Sequence, residues 1–323
     1  MLAKALLNHY EQSPLRFSEP LCTLDFFTSQ MIRALQAAMW FGSARGTRRE
    51  MVGVDKKCVW EKLQSLLNVT TPKHREEATI RVWNNHGFGG TAEYATSLGT
   101  FKYRRVYKCA NDAIRFNLAR WPSGARSKRP CTFTFLRDPI ERFASAVNEF
   151  EHRLGKHSVH SQQLKQAGMR IADFPVGAPN RTSALLRDIV EGNWISNRRM
   201  NPKLNPVAAF EHLFPQANAL MTNRSSLDFV GQVHNLQKDW HTMQQVCGVP
   251  SKSRRTFDSN LGRHASSKDP KGVKAGSFGF IRKNTAAHLS VCLLYARDYV
   301  EIHTSPKGLP ASCSTYVKDC LTR

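Results

Sequence analysis

Apolar positions along the chain fall into short runs separated by polar stretches that carry Gly and Pro. The run "CTFTFL" at 131–136 is β-branched and aromatic, as a buried strand requires. Directly after it, Ile140, Phe143, Ala144, Val147 and Phe150 recur at three- and four-residue intervals. They predict a helix over 139–153 with one apolar stripe turned to a sheet. Its start is marked three times: Asp138 is a good N-cap, Pro139 suits the first helical position, and Glu141 has capping-box spacing. "FKYRRVY" at 101–107 predicts a second strand, followed by a helix over 111–121 with Ile114, Leu118 and Trp121 on one face. A helix is predicted over 183–192, a short strand and amphipathic helix over 227–248 ending at Gly248, and a closing helix over 284–302. Loops are expected at 84–91 and 121–130, a polar connection at 155–182, and a mobile basic loop at 251–275. The pattern over 1–95 is weaker and suggests helices at 2–10, 26–41 and 59–67. The alternation of strand and helix predicts an α/β fold with a mostly parallel sheet.

Composition narrows the partners. With 41% hydrophobic and 10% aromatic residues in 323, the chain can build a core, which excludes global disorder. Lys plus Arg number 47 against 25 Asp plus Glu, a net charge of +22, so anionic partners are favoured. The positive residues come in scattered pairs such as Arg48-Arg49, Arg104-Arg105 and Arg254-Arg255. No helix concentrates them, which counts against a nucleic-acid partner. Eight cysteines include no Cys-x-x-Cys pair, so no metal site is expected. Cys313 and Cys320 are near enough in sequence to pair, and Cys109 and Cys131 read as buried thiols. Asn68-Val-Thr, Asn180-Arg-Thr and Asn223-Arg-Ser are glycosylation triplets that matter only in a secretory compartment. No signal peptide is visible, and the apolar patch at 34–42 falls short of the roughly 20 residues that span a bilayer. Membrane attachment stays open.

Two places combine a strand exit, a cation and a helix start. At the first, Arg137 ends the 131–136 strand, and Ser145 lies on the polar flank of the following helix with Glu141 and Asn148. Open α/β sheets hold ligands at that carboxyl edge, and a guanidinium fork suits phosphate. On spacing alone, an ion pair of Arg137 with Asp138 or Glu149 is an equal alternative. At the second, "YKCANDAIRFNL" turns from strand to helix at 108–111, so that helix-start N–H groups under Lys108 can hold a phosphate-like group. Taken alone, that stretch is more simply explained by a surface lysine and an ordinary cap at Asn111 or Asp112. No Walker A loop is present.

Taken together, a Lys-turn-helix and, about 30 residues on, a strand-Arg-Asp-Pro-x-x-Arg-x-x-Ser-helix resemble the sulfotransferases that use 3′-phosphoadenosine 5′-phosphosulfate (PAPS). The likeness is greatest to the Golgi carbohydrate branch, of chondroitin sulfotransferase type. "FEHLFPQANAL" (210–220), "LDFVGQVHNLQKDW" (227–240) and "LSVCLLYARDYVEI" (289–302) are similar to further family segments, in the family's order. The resemblance implies a P-loop-like sulfotransferase fold, with a central mostly parallel sheet flanked by helices. It implies a domain over 96–305, a mainly helical N-terminal extension over 1–95 and a C-terminal tail over 306–323. Carried over residue by residue, Lys108, Cys109, Ala110, Asn111 and Asp112 hold the 5′-phosphosulfate, and Arg137 with Ser145 holds the 3′-phosphate. Lys108 would stabilise the leaving phosphate. His212 is the first choice for general base, followed by Glu211 and His86, and the 251–275 loop offers Arg254, Arg255 or Lys274 to the nucleotide. A glycan or other hydroxylated acceptor, no metal, no nucleic acid and a Golgi location follow from the same likeness. The chain departs from the family where Tyr107, Ala110 and Asn111 replace the usual Pro, Gly and Thr/Ser, and where His234 replaces a Glu. An inactive, polyanion-binding relative and a basic nucleic-acid-binding protein are the competing readings.

Overall fold

The computed structural model describes residues 53–86, 89–125, 129–156, 162, 164–165, 168–176, 178–196, 210–221, 227–261, 273–302 and 309–322. The helices expected at 2–10 and 26–41 and the Asn223 triplet lie outside these residues. Val52–Arg323 form one compact unit.

The centre is a four-stranded sheet in the order β2 (Gly90–Thr96), β3 (Gly99–Arg105), β4 (Cys131–Leu136), β5 (Phe229–Gln232). β2 and β3 form an antiparallel hairpin closing at Thr96↔Gly99, where Gly99 takes φ 126. β3, β4 and β5 run parallel, with Tyr103↔Phe133 and Phe133↔Phe229 in register. Parallel neighbours need crossovers, and helices supply them. α3 (Asn111–Ala119) leads from β3 to β4, while α4 (Pro139–Lys156) leaves β4. α8 (Leu236–Val246) follows β5. Phe101, Tyr103, Phe133 and Phe135 of the sheet pack with Ile114, Leu118, Trp121, Trp240 and Met243 of these helices.

A larger core lies among helices. α1 (Lys56–Leu67) and α2 (Lys73–Asn85), within the stretch read as an extension, contribute Trp60, Leu63 and Trp83 to it. They meet Phe143 and Val147 of α4, and Leu185 and Ile189 of α5 (Pro179–Glu191). Trp194 of the short α6 (Asn193–Ser196) joins them, and α7 (Gln216–Met221) follows later in the chain. α9 (Val273–Lys283), α10 (Thr285–Leu294), α11 (Ala296–Val300) and α12 (Ala311–Lys318) complete the unit. The helix expected over 284–302 is therefore two, because Tyr295 leaves helical geometry at φ −113. β1 (Gly53–Val54) pairs antiparallel with β6 (Leu321–Thr322), joining the two ends of the unit.

The cysteine expectations need correction. Cys313 bonds Cys292, and Cys320 bonds Cys58. Cys313 and Cys320 lie about 10 Å apart along the α12 direction at helical rise, beyond disulfide reach. Cys131 is not a thiol but is joined to Cys247. Cys109 is a buried free cysteine, as expected. His288 lies close to Cys292 and Cys313, but those two sulfurs are bonded to each other.

Candidate functional site

The carboxyl ends of β3 and β4 open side by side, and three side chains link them. β3 ends at Arg105, and residues 106–110 turn the chain into α3. Two of these residues, Lys108 (φ 64) and Ala110 (φ 60), are left-handed without being glycine. Ala110 takes the N-cap position and has no side chain to cap with, so neither Asn111 nor Asp112 is the cap. The N-cap residue thus offers the first N–H groups of α3 no side-chain acceptor of its own. Asn111 Oδ1 accepts from the Tyr103 hydroxyl at 2.6 Å, which leaves its Nδ2 as the donor end facing outward from that bond. Asp112 Oδ1 is 3.8 Å from Arg115 Nη1 on the exposed flank of α3, which offsets its charge near an anion.

Ala110 stands where the geometry favours glycine. A left-handed alanine costs about 1–2 kcal/mol, and the extra freedom of an unfolded glycine returns about 0.4–1 kcal/mol of that. Ala110→Gly is expected to stabilise the protein by about 0.5–1 kcal/mol. Urea unfolding checks this, and a loss of stability would mean that the turn is not left-handed.

At the other exit, Asp138 Oδ1 caps α4, accepting from Ile140 N at 2.9 Å and Glu141 N at 3.2 Å, as its spacing predicts. Among the described residues no carboxylate pairs with Arg137, and its Nε is buried without a hydrogen-bond partner. A buried guanidinium donor left open in this way suits an anion. Ser145 is half-buried on α4. Glu149, one turn further, receives Lys108: Nζ lies 2.9 Å from Oε2, and both side chains are mostly covered, at 18% and 14% exposure. The ammonium of the first exit therefore lies over the same face of α4 that carries Ser145.

Arg142 and Gln216 are two further contributors that sequence reading did not single out. Arg142 is fully buried, with Nε donating to Tyr107 O at 3.1 Å and Nη2 to His212 O at 3.0 Å. Its guanidinium lies 5.7 Å from the Tyr295 ring centroid. The arginine of Arg-Asp-Pro-x-x-Arg thus holds the residue preceding Lys108. Gln216, also fully buried, bonds both the Arg137 backbone and the Cys109 thiol. Burial pushes the Cys109 thiol up to about 11, against the pull of Arg142 and Arg137, so at neutral pH it is a donor rather than a nucleophile.

The other expected residues divide. The His212 ring rests on Tyr107 at 4.5 Å between centroids, is 5% exposed, and has Glu211 Oε1 3.6 Å from Nε2. Glu211 is the more open of the pair. His86 stacks on Phe214 at 5.0 Å. Arg254 Nε donates to Val249 O, and Arg255 Nη1 donates to Arg120 O at the far end of α3, so neither is drawn to the strand exits. The Lys274 side chain lies outside the described residues. His234 is exposed beyond β5 and lines an open cavity of about 480 Å³ with Lys238 and Phe257.

Lys108, Arg137 and Ser145 are thus gathered at two strand exits on one sheet edge, the first of them turned without glycine. No curated protein and no solved structure matches this chain. A model of the sulfotransferase family does match, over residues 100–300, the stretch that contains β3, both strand exits, α4, Gln216 and α11. On that match, which covers more than half of its length, the chain belongs to the sulfotransferase family.

Proposed function

We propose that this protein transfers the sulfuryl group of PAPS to a hydroxyl of a carbohydrate acceptor. The observation that carries the reading is the convergence of Lys108, the start of α3 behind Ala110 and the open Arg137 Nε on one edge of the sheet. A ligand with phosphates at two ends matches two cation-bearing helix starts. In the reaction, the acceptor oxygen forms a bond to sulfur as the bond from sulfur to the phosphate oxygen breaks. The acceptor proton leaves to a base, for which His212 with Glu211 beside it is the first candidate. Negative charge gathers on the departing phosphate, where Lys108 would neutralise it. Arg137 and Ser145 would hold the 3′-phosphate. This chemistry requires no metal.

Isothermal titration with 3′-phosphoadenosine 5′-phosphate tests the site. Arg137→Ala is expected to weaken binding about 10- to 100-fold, the loss of a charge-assisted pair. Unchanged affinity would remove Arg137 from the site. Turnover with labelled donor over a panel of glycans then tests the acceptor class. An inactive polyanion-binding relative is the second reading, favoured by the left-handed Ala110 and by the Lys108–Glu149 pair. Nucleotide binding without turnover on any glycan supports it.

The secretory location proposed with this function has support from three disulfides, which persist in oxidising compartments. Among the described residues, no helix is long and apolar enough to cross a membrane. Asn68 and Thr70 are both exposed at the end of α1, whereas Thr182 of the Asn180 triplet is buried within α5. Material made in the secretory pathway is expected to lose apparent mass on treatment with peptide N-glycosidase. Asn68→Gln should abolish that part of the shift; an unaltered shift would show that Asn68 is not modified.

A further inference from the structure

We propose that Gln216 is a positioning residue that sets the spacing between the two anion sites and so makes them act as one bidentate receptor. The proposal rests on the bisphosphate nucleotide reading given above. The backbone pairing of β3 with β4 runs only as far as Tyr103↔Phe133. Cys109 lies six residues past that pair and Arg137 four (109 − 103 and 137 − 133). Beyond it, the described backbone bonds do not join one exit to the other. Gln216 spans this gap with its carboxamide. Nε2 donates to Arg137 O at 2.8 Å, and Oε1 accepts from Arg137 N at 3.0 Å, so the amide pairs with both sides of one peptide residue. The same Oε1 accepts the Cys109 thiol at 3.1 Å, next to Lys108.

The carboxamide is itself held. Asp298, fully buried on α11, accepts from Gln216 N at 2.9 Å and from Nε2 at 3.3 Å, and its other oxygen accepts from Ala217 N at 2.9 Å. An amide side chain has two donors and two acceptor sites, and all four are used here. Turning the amide over would put donor against donor at Arg137 N and at Cys109, so its orientation is fixed by its neighbours. A fully satisfied buried amide can rigidify its surroundings in a way that an apolar side chain of equal size cannot. Without it, Arg137 and the Lys108 turn would each keep their own geometry, while their mutual distance would be held less closely, through Arg142 and the Lys108–Glu149 pair of α4.

That distance matters only to a ligand that touches both exits, because the second contact then forms at an effective concentration set by the spacing. The test compares 3′-phosphoadenosine 5′-phosphate with adenosine 5′-phosphate and adenosine 3′-phosphate, titrated into wild type, Gln216→Met and Gln216→Glu. Gln216→Met keeps the volume and removes all four bonds. It is expected to lower bisphosphate affinity about tenfold or more while each monophosphate changes by less than about twofold. Gln216→Glu keeps the acceptors for Arg137 N and Cys109 and is expected to fall between; if the methionine variant does not fold, its ratios carry the test. Equal losses for all three ligands, or an unchanged bisphosphate affinity, overturn the spacing role while leaving the nucleotide reading intact. Wild type that binds no bisphosphate overturns both.

Discussion

Lys108→Ala is expected to reduce turnover by about 100- to 1000-fold, the usual cost of removing one preorganised donor from a developing charge. The ammonium is fixed before any ligand arrives, 2.9 Å from Glu149 on α4 and only 18% exposed. Fixed charges cost no reorganisation at the moment of reaction, whereas a lysine swinging in water would. Because charge grows on the leaving phosphate only as the bond to sulfur breaks, the loss should fall mainly on kcat, with a smaller change in affinity for the product nucleotide. Alanine tolerates a left-handed backbone no worse than lysine, so the turn at φ 64 should persist. Glu149→Gln separates orientation from charge: it keeps the ammonium, loosens its placement, and should cost about tenfold or less. Steady-state kinetics with labelled donor checks both variants. If Lys108→Ala keeps more than a tenth of wild-type kcat, the ammonium does not act on the departing group.

The second large effect concerns stability. Arg142→Met is expected to destabilise the protein by about 3–5 kcal/mol, the range seen when one member of a buried charged network is removed. Arg142 is fully buried and supports the carbonyls of Tyr107 and His212, and its charge acts on the buried Asp298 carboxyl. Burial pushes Asp298 up from the ordinary carboxylate range, and Arg142 is the first influence pulling it back. Removing the guanidinium therefore takes a donor from two carbonyls and a compensating charge from a buried carboxylate. For a unit of this size the melting temperature should fall by roughly 10 °C. Arg142→Lys recovers only part of this, because one ammonium cannot span both carbonyls as a planar fork does. Calorimetry on the two variants decides the matter, and a loss under about 1 kcal/mol for methionine would mean that the network is dispensable.

The parts of the fold legible in the sequence are those where local and global preferences agree. β4 and the start of α4 are read to the residue, because a β-branched and aromatic run meets a cap, a proline and an apolar stripe. α2 was not foreseen: only Thr79, Trp83 and Asn84 of its 13 residues are buried, so "KHREEATIRVWNN" carries little periodic signal. β2 opens with Gly90 and lies at the sheet edge, where neither glycine nor half-exposed polar residues look like strand. The disulfide partners are 262 and 116 residues apart in two cases, which no local pattern reveals.

The site shows the same division. Arg137, Ser145 and Lys108 stand out because a charge or hydroxyl at a strand exit is chemically conspicuous. Arg142 stands in the Arg-Asp-Pro-x-x-Arg motif without a role of its own, and only its burial discloses what it holds. Gln216 lies in the 210–220 segment that resembles the family, but a neutral amide at the start of a six-residue helix shows no role of its own. Both act in large part on backbone groups, which have no letter in the sequence.

The Cys58–Cys320 bond has a practical corollary. It closes a ring around nearly all of the described unit, with its two α-carbons 5.4 Å apart. A protease that nicks the chain once anywhere between those positions produces fragments still tied through sulfur. Such a nicked molecule migrates as intact until a reductant is added, so susceptible loops will be found only on reducing gels.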